Sequence, residues 1–382
     1  MCILESKSSH LFKKLNMESK LLFFCSDYKV GLTTALSEQV LELKKLSNIR
    51  LSCISSEKEM EHGLHDKLKE ACIDMTVVPH LDVHSNFRGL VEAVDNLIKD
   101  KSITHVNVHN NWQLAIVAFI KYSRVLPRKF KIIYTIHGYR HNSFFKSCLA
   151  ILVIGLALLL FADRVISMSS YVSKRFWFVS YKTDLVFYIM NKPEFNKLTN
   201  IIDPLPLRLV FPAQFRYGKN QQMLIRAVEL YIKKTKDNTI KLYLPGDGVN
   251  LEECKSMVCS KGLCDNILFP GKLPHRKVID LYEASNIALV ASNVETYGRC
   301  IAEPFALGRC LITRKTGVAL DIVKNGVNGL FFSTEIDLVN ILEKLHQSPE
   351  LLINIANNAF NDKYLFSANH VMNSYIAALG KA

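Results

Sequence analysis

The stretch Glu295-Thr-Tyr-Gly-Arg-Cys-Ile-Ala-Glu303-Pro-Phe-Ala-Leu-Gly308 decides how the fold is read. Just before it, Asn286-Ile-Ala-Leu-Val-Ala-Ser292 is short, apolar and bounded by polar residues, which predicts a buried strand. Gly298 marks a turn, and Arg299 to Leu307 read as a helix with Glu303 about one turn in. A strand passing through a turn into a helix leaves the Tyr297, Gly298 and Arg299 N–H groups near a helix N-terminus. Unpaired donors and the positive end of the helix dipole there favour a phosphate. One carboxylate before the turn and one inside the helix can hold hydroxyl groups on either side of it. A sugar on one side and a ribose on the other fit this arrangement.

Outward from this stretch the same alternation recurs. Lys20 to Ser26 reads as a first strand, followed by a loop containing Gly31 and a helix to about Leu46. Strands recur at Ile49–Ser55, Met75–Val78, His105–His109 and Lys131–Ile136, with helical segments between them. In the second half, Leu207–Ala213 and the segments opening at Ile240 and Asn266 read as strands that end in Pro- and Gly-containing turns. Strand–helix alternation predicts parallel sheets, and 382 residues suggest two domains.

The central segment resembles the E-x7-E signature of retaining glycosyltransferases of the GT-B fold, specifically family 4 (glycosyl transferases group 1). Ala306-Leu-Gly308 resembles the family's A-x-G. Thr316-Gly-Val-Ala-Leu-Asp321 is similar to its glycine-rich loop leading to a carboxylate, and Asn325-Gly-Val-Asn-Gly-Leu330 to its closing segment. The resemblance is specific from Lys219 to Phe332, topological from Leu21 to Asn191, and absent over residues 1–16. It implies an α/β architecture of two Rossmann-like domains facing each other across a cleft. An acceptor-binding domain would cover residues 17–191 and a nucleotide-sugar domain residues 207–366, with residues 367–382 a helix returning to the first.

The resemblance also implies the chemistry: a sugar passes from a nucleotide-diphosphate donor to a glycan or lipid-linked acceptor, with retention, in bacterial cell-envelope polysaccharide or lipopolysaccharide synthesis. Lys219 and Arg216, at a strand-to-helix turn, would oppose the charge growing on the leaving diphosphate. Family members place an arginine five residues before this lysine; here that position is Gln214, so the role passes to Arg216. Glu295 would hold hydroxyls of the transferred sugar and Glu303 the ribose, with the turn at Tyr297, Gly298 and Arg299 on the diphosphate. Gly246, and Lys272 with Leu273 after Gly271, would complete the donor side. His137 ends an apolar strand at a carboxyl edge, where open α/β sheets bind ligands. It resembles the family's strand-end histidine, with contact to the sugar and help in proton transfer both open. His105 and His109 read as structural. Gly31 marks the acceptor-side loop, where the family carries adjacent glycines and this chain keeps one. The family needs no metal, and no D-x-D pair stands here to hold one.

Composition sets the remaining expectations. Apolar residues make up 49% of the chain, and the net charge of +13 attracts phosphates, nucleic acid or acidic lipid. No nucleic-acid motif appears. Ten cysteines without C-x-x-C spacing read as reduced thiols of a cytosolic protein without structural zinc. Met1 to Asn16 lack the apolar core of a signal peptide, and Met17 is a second candidate start. The apolar run Cys148–Ala162 would extend about 22 Å as a helix, short of the roughly 30 Å of a hydrocarbon core. From Lys121 to Lys182 there are eleven Lys or Arg residues and one acid, Asp163. That combination, with the aromatic segment Ser170–Phe178, predicts peripheral docking to the anionic inner face of the cell membrane; a core helix is the other reading. The rival functions are another GT-B enzyme, such as a nucleotide-sugar epimerase or a phosphorylase, and a non-catalytic basic membrane-binding protein.

Overall fold

The computed structural model describes residues 19–24, 38–45, 49–56, 64–78, 83–123, 129–138, 144–190 and 203–382. Gly31 and Asn191 lie outside the described residues. The chain forms two compact units: one takes residues up to Met168 with Val172–Ile189 and Ser367–Ala382, the other Ser169–Tyr171 with Met190–Phe366.

The first unit is built on seven parallel strands. They are β1 (Lys20–Phe24), β2 (Arg50–Ser56), β3 (Asp74–Val78), β4 (His105–Val108), β5 (Lys131–Ile136), β6 (Arg164–Ser167) and β7 (Thr183–Leu185), in the order β3-β2-β1-β4-β5-β6-β7. Chain order reverses between β1 and β4, which puts the ligand-binding crevice of such sheets at their carboxyl ends. The interior strands are apolar on both faces because helices cover both: in β5, Ile132 to Ile136 are all buried. Asn107 and Thr135, buried polar residues of the sheet, are paired. Asn107 donates to the Tyr375 hydroxyl of the C-terminal helix Ala368–Gly380 and accepts from Thr135 at 3.0 Å.

The apolar run forms the helix Phe144–Phe161, which begins four residues ahead of the run itself. Eighteen residues rise about 27 Å. Among the described residues no helix is long and apolar enough to cross a membrane. This one joins β5 to β6, parallel neighbours in a single sheet, so both of its ends are tied to the same layer. It packs inward through Gly155 and Leu158, both buried; a Cβ at position 155 would stand 2.0 Å from the Phe178 ring.

Several of the basic residues counted in the sequence turn inward. Lys121 is buried and donates to Asp163 at 2.7 Å, while Lys182 is buried and caps the end of the apolar helix on the Leu159 and Ala162 carbonyls, at 3.0 and 2.6 Å. Arg164 is paired with Asp184. These cations stabilise the fold, and a lysine on the last carbonyls of a helix opposes its dipole.

The second unit repeats the plan with six parallel strands. They are β8 (Arg208–Val210), β9 (Lys241–Tyr243), β10 (Ile267–Leu268), β11 (Ile287–Val290), β12 (Cys310–Thr313) and β13 (Leu330–Phe331), in the order β10-β9-β8-β11-β12-β13. β11 and β12 are buried at every position. Order reverses between β8 and β11, so the loops leaving these two strands meet at the second switch point.

Candidate active site

The loop after β8 runs beside the turn after β9. Phe211, Ala213 and Phe215 donate in turn to the carbonyls of Tyr243, Pro245 and Asp247, at 3.0, 3.1 and 2.9 Å. The approach is close enough that a Cβ on Gly246, whose φ is +153°, would lie 2.0 Å from the Ala213 oxygen. Gly246 also donates to Gly271 at 2.8 Å, which brings the segment Gly271-Lys272-Leu273 alongside. The positions read as donor-side at Gly246 and around Gly271 are therefore neighbours. Lys272 is exposed and Leu273 half-buried.

Two hydrogen bonds from Asn220 tie this loop to the one leaving β11: its amide donates to Ala291 O at 2.8 Å and to Asn293 Oδ1 at 2.6 Å. Asn293 N donates back to Gly218 O at 2.8 Å. This stitching carries Lys219 to Glu295, and the ammonium pairs with the carboxylate; both side chains are largely buried. Glu295 is fixed from behind, its N–H donating to Thr316 Oγ1 at 2.8 Å. Gly317 follows at φ +55°, where a Cβ would meet Tyr297 O at 2.3 Å and Glu295 Cβ at 3.0 Å. The glycine-rich loop is thus the backstop of the catalytic carboxylate candidate. Arg216 is half-buried in the same loop, and its carbonyl accepts from Lys219 N at 3.1 Å. Gln214, at the position where the resembled family carries arginine, is exposed.

Gly298, at φ +88°, opens the helix Arg299–Ala306, and no side chain caps that end. Inside it Glu303 is buried, and Oε1 accepts from Arg299 Nε at 2.7 Å and lies 2.8 Å from His275 Nε2. His275 begins the helix His275–Ala284, just after Lys272 and Leu273. Arg299 therefore contributes a guanidinium as well as the N–H expected from its place in the turn. The Arg299–Glu303 contact was open to sequence reasoning, since residues four apart share a helix face. His275 was not, because nothing in its spacing points to Glu303. Cys300 was also missed; its Sγ lies 3.9 Å from Glu295 Oε1, and burial pushes its thiol up.

In the first unit, His137 follows β5 and His109 follows the adjacent β4. His137 Nε2 is 2.8 Å from His109 Nδ1, and His137 Nδ1 is 2.7 Å from the Tyr188 hydroxyl. The two imidazoles stack at 5.0 Å between centroids, and the Phe23 ring lies 4.8 Å from that of His109. Burial holds His137 down to about 3; burial and then the His137 ring hold His109 well below the ordinary histidine value. Both imidazoles are neutral at pH 7. His109, read from sequence as structural, is the partner of the histidine read as functional, and Tyr188 is a second partner that no motif marked. Gly31 is outside the described residues. Among the described residues no three His, Cys, Asp or Glu side chains gather as metal ligands.

Residues 198–362 match the family model "Glycosyl transferases group 1", which covers less than half of the chain. The alpha-monoglucosyldiacylglycerol synthase of Streptococcus pneumoniae is 26% identical over 140 residues, 36% of this chain and 31% of that protein. The synthase of the same name from Acholeplasma laidlawii is 31% identical over 114 residues, 30% of this chain and 29% of that one. The D-inositol 3-phosphate glycosyltransferase of Gordonia bronchialis is 24% identical over 231 residues, 58% and 50% of the two chains. The chain thus spans about a third to a half of the length of these relatives. Among solved structures, Anabaena Alr3699/HepE in complex with UDP is similar with a TM-score of 0.74 at 18% identity, covering 95% of this chain and 100% of that one. The lipopolysaccharide outer core galactosyltransferase WaaB is similar with a TM-score of 0.70 at 14% identity, covering 94% and 99%. These likenesses establish the fold as the α/β GT-B type, with two parallel-sheet domains.

Proposed function

We propose that this chain is a glycosyltransferase that moves a sugar from a nucleoside-diphosphate donor to a glycan or lipid-linked acceptor, with retention of anomeric configuration. It works at the inner face of the cell membrane in the synthesis of bacterial envelope polysaccharide or lipopolysaccharide. The observation that carries the reading is the Lys219–Glu295 pair at the switch point of the second sheet, on elements that also bring Glu303, Arg299 and His275 together. A departing diphosphate gains negative charge as its bond to the sugar breaks. A desolvated lysine facing that charge stabilises the transition state more than the ground state. On donor binding Lys219 exchanges the Glu295 carboxylate for phosphate oxygens, and Glu295 turns to the hydroxyls of the sugar. Arg216 and the uncapped helix start at Arg299 add to the same anion site. Glu303 keeps Oε1 on Arg299 and His275 and offers Oε2 to the ribose. His137 and Gly31 belong to the acceptor side. The reaction calls on no metal and no cofactor beyond the nucleotide sugar.

Complexes of HepE with UDP and with UDP-glucose support a nucleotide-sugar donor. Two relatives named as glucosyldiacylglycerol synthases, and the likeness to WaaB, support an acceptor anchored in lipid. The test is a screen of UDP, GDP and ADP sugars by thermal shift, since a ligand of the folded state raises stability by mass action. It is followed by nucleoside-diphosphate release with a glycolipid acceptor. One donor class should stabilise the protein and be consumed, with Lys219→Ala slowing consumption about 10²- to 10³-fold. No response to any nucleotide sugar would sink the enzyme reading, and an inverted anomer in the product would remove retention alone.

A specific observation supports the membrane part. The outward side of the apolar helix is Leu149, Leu152, Val153, Leu156 and Leu160, with Leu152 54% and Leu160 61% exposed. Beside it stand Trp177, 73% exposed, and Tyr181, whose rings join an apolar body to a polar tip, as residues at a bilayer interface do. Lys129 and Lys174 are exposed in the same segment, and its only acid, Asp163, faces Lys121 and Lys131. An apolar ridge flanked by cations and without an unpaired acid fits an anionic bilayer.

A further inference from the structure

The second unit also brings two thiols together, away from the residues assigned to sugar transfer. The helix Leu251–Ser260 ends in a tight reversal. Lys261 N donates to Met257 O, Gly262 N to Cys259 O and Leu263 N to Val258 O, at 3.2, 3.1 and 3.0 Å. Gly262 sits at φ +68°, the left-handed residue that such helix endings use. A second turn follows, with Asn266 N and Ile267 N both donating to Leu263 O at 3.0 Å. Between the two turns Cys264 is folded back over the last turn of the helix, and its Sγ comes to 3.3 Å from Cys259 Sγ. Both residues are exposed. Buried Cys254 and Cys310 have no such access, and exposed Cys72 and Cys148 lie in the other unit.

We propose that Cys259 and Cys264 form a reversible dithiol–disulfide site, oxidised by peroxides. Two sulfurs supply only half of a tetrahedral metal site. Among the described residues no third His, Cys, Asp or Glu joins them. The chemistry is therefore redox. One thiol loses its proton, its thiolate attacks a peroxide oxygen, the O–O bond breaks, and a sulfenic acid and hydroxide result; the hydroxide takes up the released proton as water. The second sulfur then attacks the sulfenic sulfur; the S–S bond forms, the S–O bond breaks, and the hydroxide leaves as water with the proton of the second thiol. Two thiols and one hydrogen peroxide give one disulfide and two waters.

The surroundings make this pair slow to react. The carbonyl end of a helix disfavours a thiolate, and the Cys259 thiol holds the Cys264 thiol up. Oxidation accordingly speeds up as pH rises and thiolate forms. The bridge would close the turn that leads into β10, whose entry is already held by Asn266 donating to the Asn238 and Ile240 carbonyls.

The experiment treats the full-length protein with hydrogen peroxide, alkylates what remains, and maps peptides before and after dithiothreitol. Cys259 and Cys264 should be lost together from alkylation and recovered as one cross-linked species that reductant reverses. Cys72 and Cys148 should yield no such intramolecular link. Cys259→Ser and Cys264→Ser should each abolish the link and leave the remaining thiol open to alkylation. Three results would overturn the proposal: both thiols staying alkylatable after peroxide, either one going to sulfinic acid in place of a bridge, or a cross-link to a different cysteine.

Discussion

The two parts of this molecule to which the proposed function is assigned are built from opposite materials. The site around Glu295 gathers polar and charged groups: the largely buried pair Lys219 and Glu295, and half-buried Arg299 and His275 on buried Glu303. The ridge of the helix Phe144–Phe161 puts apolar side chains in the open and turns cations inward, Lys121 onto Asp163 and Lys182 onto helix carbonyls. Both arrangements are costly to a fold that does nothing. Buried charge suffers desolvation, and an exposed apolar patch invites association. On the proposed reading, each cost is met at a place where the chain binds something other than water.

The sharpest way to break this comparison is at the lysine. Lys219→Ala should lower turnover about 10²- to 10³-fold, in the range seen when a preorganised group on a developing charge is removed. It also leaves Glu295 buried without its partner, so some stability should be lost as well. The double change Lys219→Ala with Glu295→Gln separates the two effects, restoring stability without turnover. Glu295→Gln alone should impair transfer while leaving free nucleotide diphosphate bound. Unchanged turnover in Lys219→Ala would make the pair structural. A Gln214 substitution more damaging than Arg216→Ala would move the second cation's role to another group.

On the ridge, Leu152→Ser, Leu156→Ser and Leu159→Ser together should detach a folded protein from anionic vesicles. All three side chains are 41% exposed or more, so each contributes about 1 kcal/mol on entering the interface, and the set about a hundredfold in partitioning. Because Lys121 and Lys182 point inward, high salt should release only a minor fraction. Trp112 and Trp177 are the chain's two tryptophans and both are exposed, so Trp112→Phe makes emission a report on Trp177 alone. Its blue shift on vesicles should vanish in the triple variant. No vesicle binding at low salt defeats the membrane reading and leaves sugar transfer standing, whereas self-association of the wild type would give the ridge to a second copy.

A smaller effect tests the ribose side. Glu303→Ala should weaken nucleotide binding by about 1–3 kcal/mol if its free oxygen accepts charge-assisted bonds from hydroxyls. His275→Ala should weaken it less, because Arg299 still orients the carboxylate. Calorimetry with the nucleoside diphosphate separates these. Equal losses would mean that His275 itself meets the ligand.

How much of this was legible in sequence follows from the kind of signal. Glu295, Glu303 and the glycines at 298 and 317 stand at fixed spacings because turn geometry allows few alternatives, so order along the chain revealed them. The strand alternation revealed two parallel sheets, and composition revealed an unusual apolar helix. What could not be read was direction. Whether Leu152 faces water, or Lys182 a headgroup, depends on which side of the helix meets the sheet, and a run that is apolar all round carries no phase. His275 reaches Glu303 only through tertiary packing, and Cys264 reaches Cys259 only through the reversal at Gly262.

The histidine pair combines both materials in miniature, a polar group placed in an apolar slot, and it yields the smallest effect. His109 is buried against Phe23 and His137, and its proton affinity is held well below the ordinary value of 6.5. The native state therefore excludes a proton that the unfolded chain takes up below pH 6.5. Stability is fully present above that pH and falls as the solution is acidified, toward the depressed native value. At pH 6 the loss from one such histidine is about 0.8 kcal/mol. His137, held down to about 3, acts in the same direction. His109→Phe keeps an apolar ring in the slot and removes the titrating group. Urea unfolding of the wild type between pH 8 and pH 5 should show a steeper loss than the variant shows. Identical slopes would mean that the imidazole titrates normally, and the neutral His109–His137–Tyr188 chain would then be the wrong protonation state for the acceptor side.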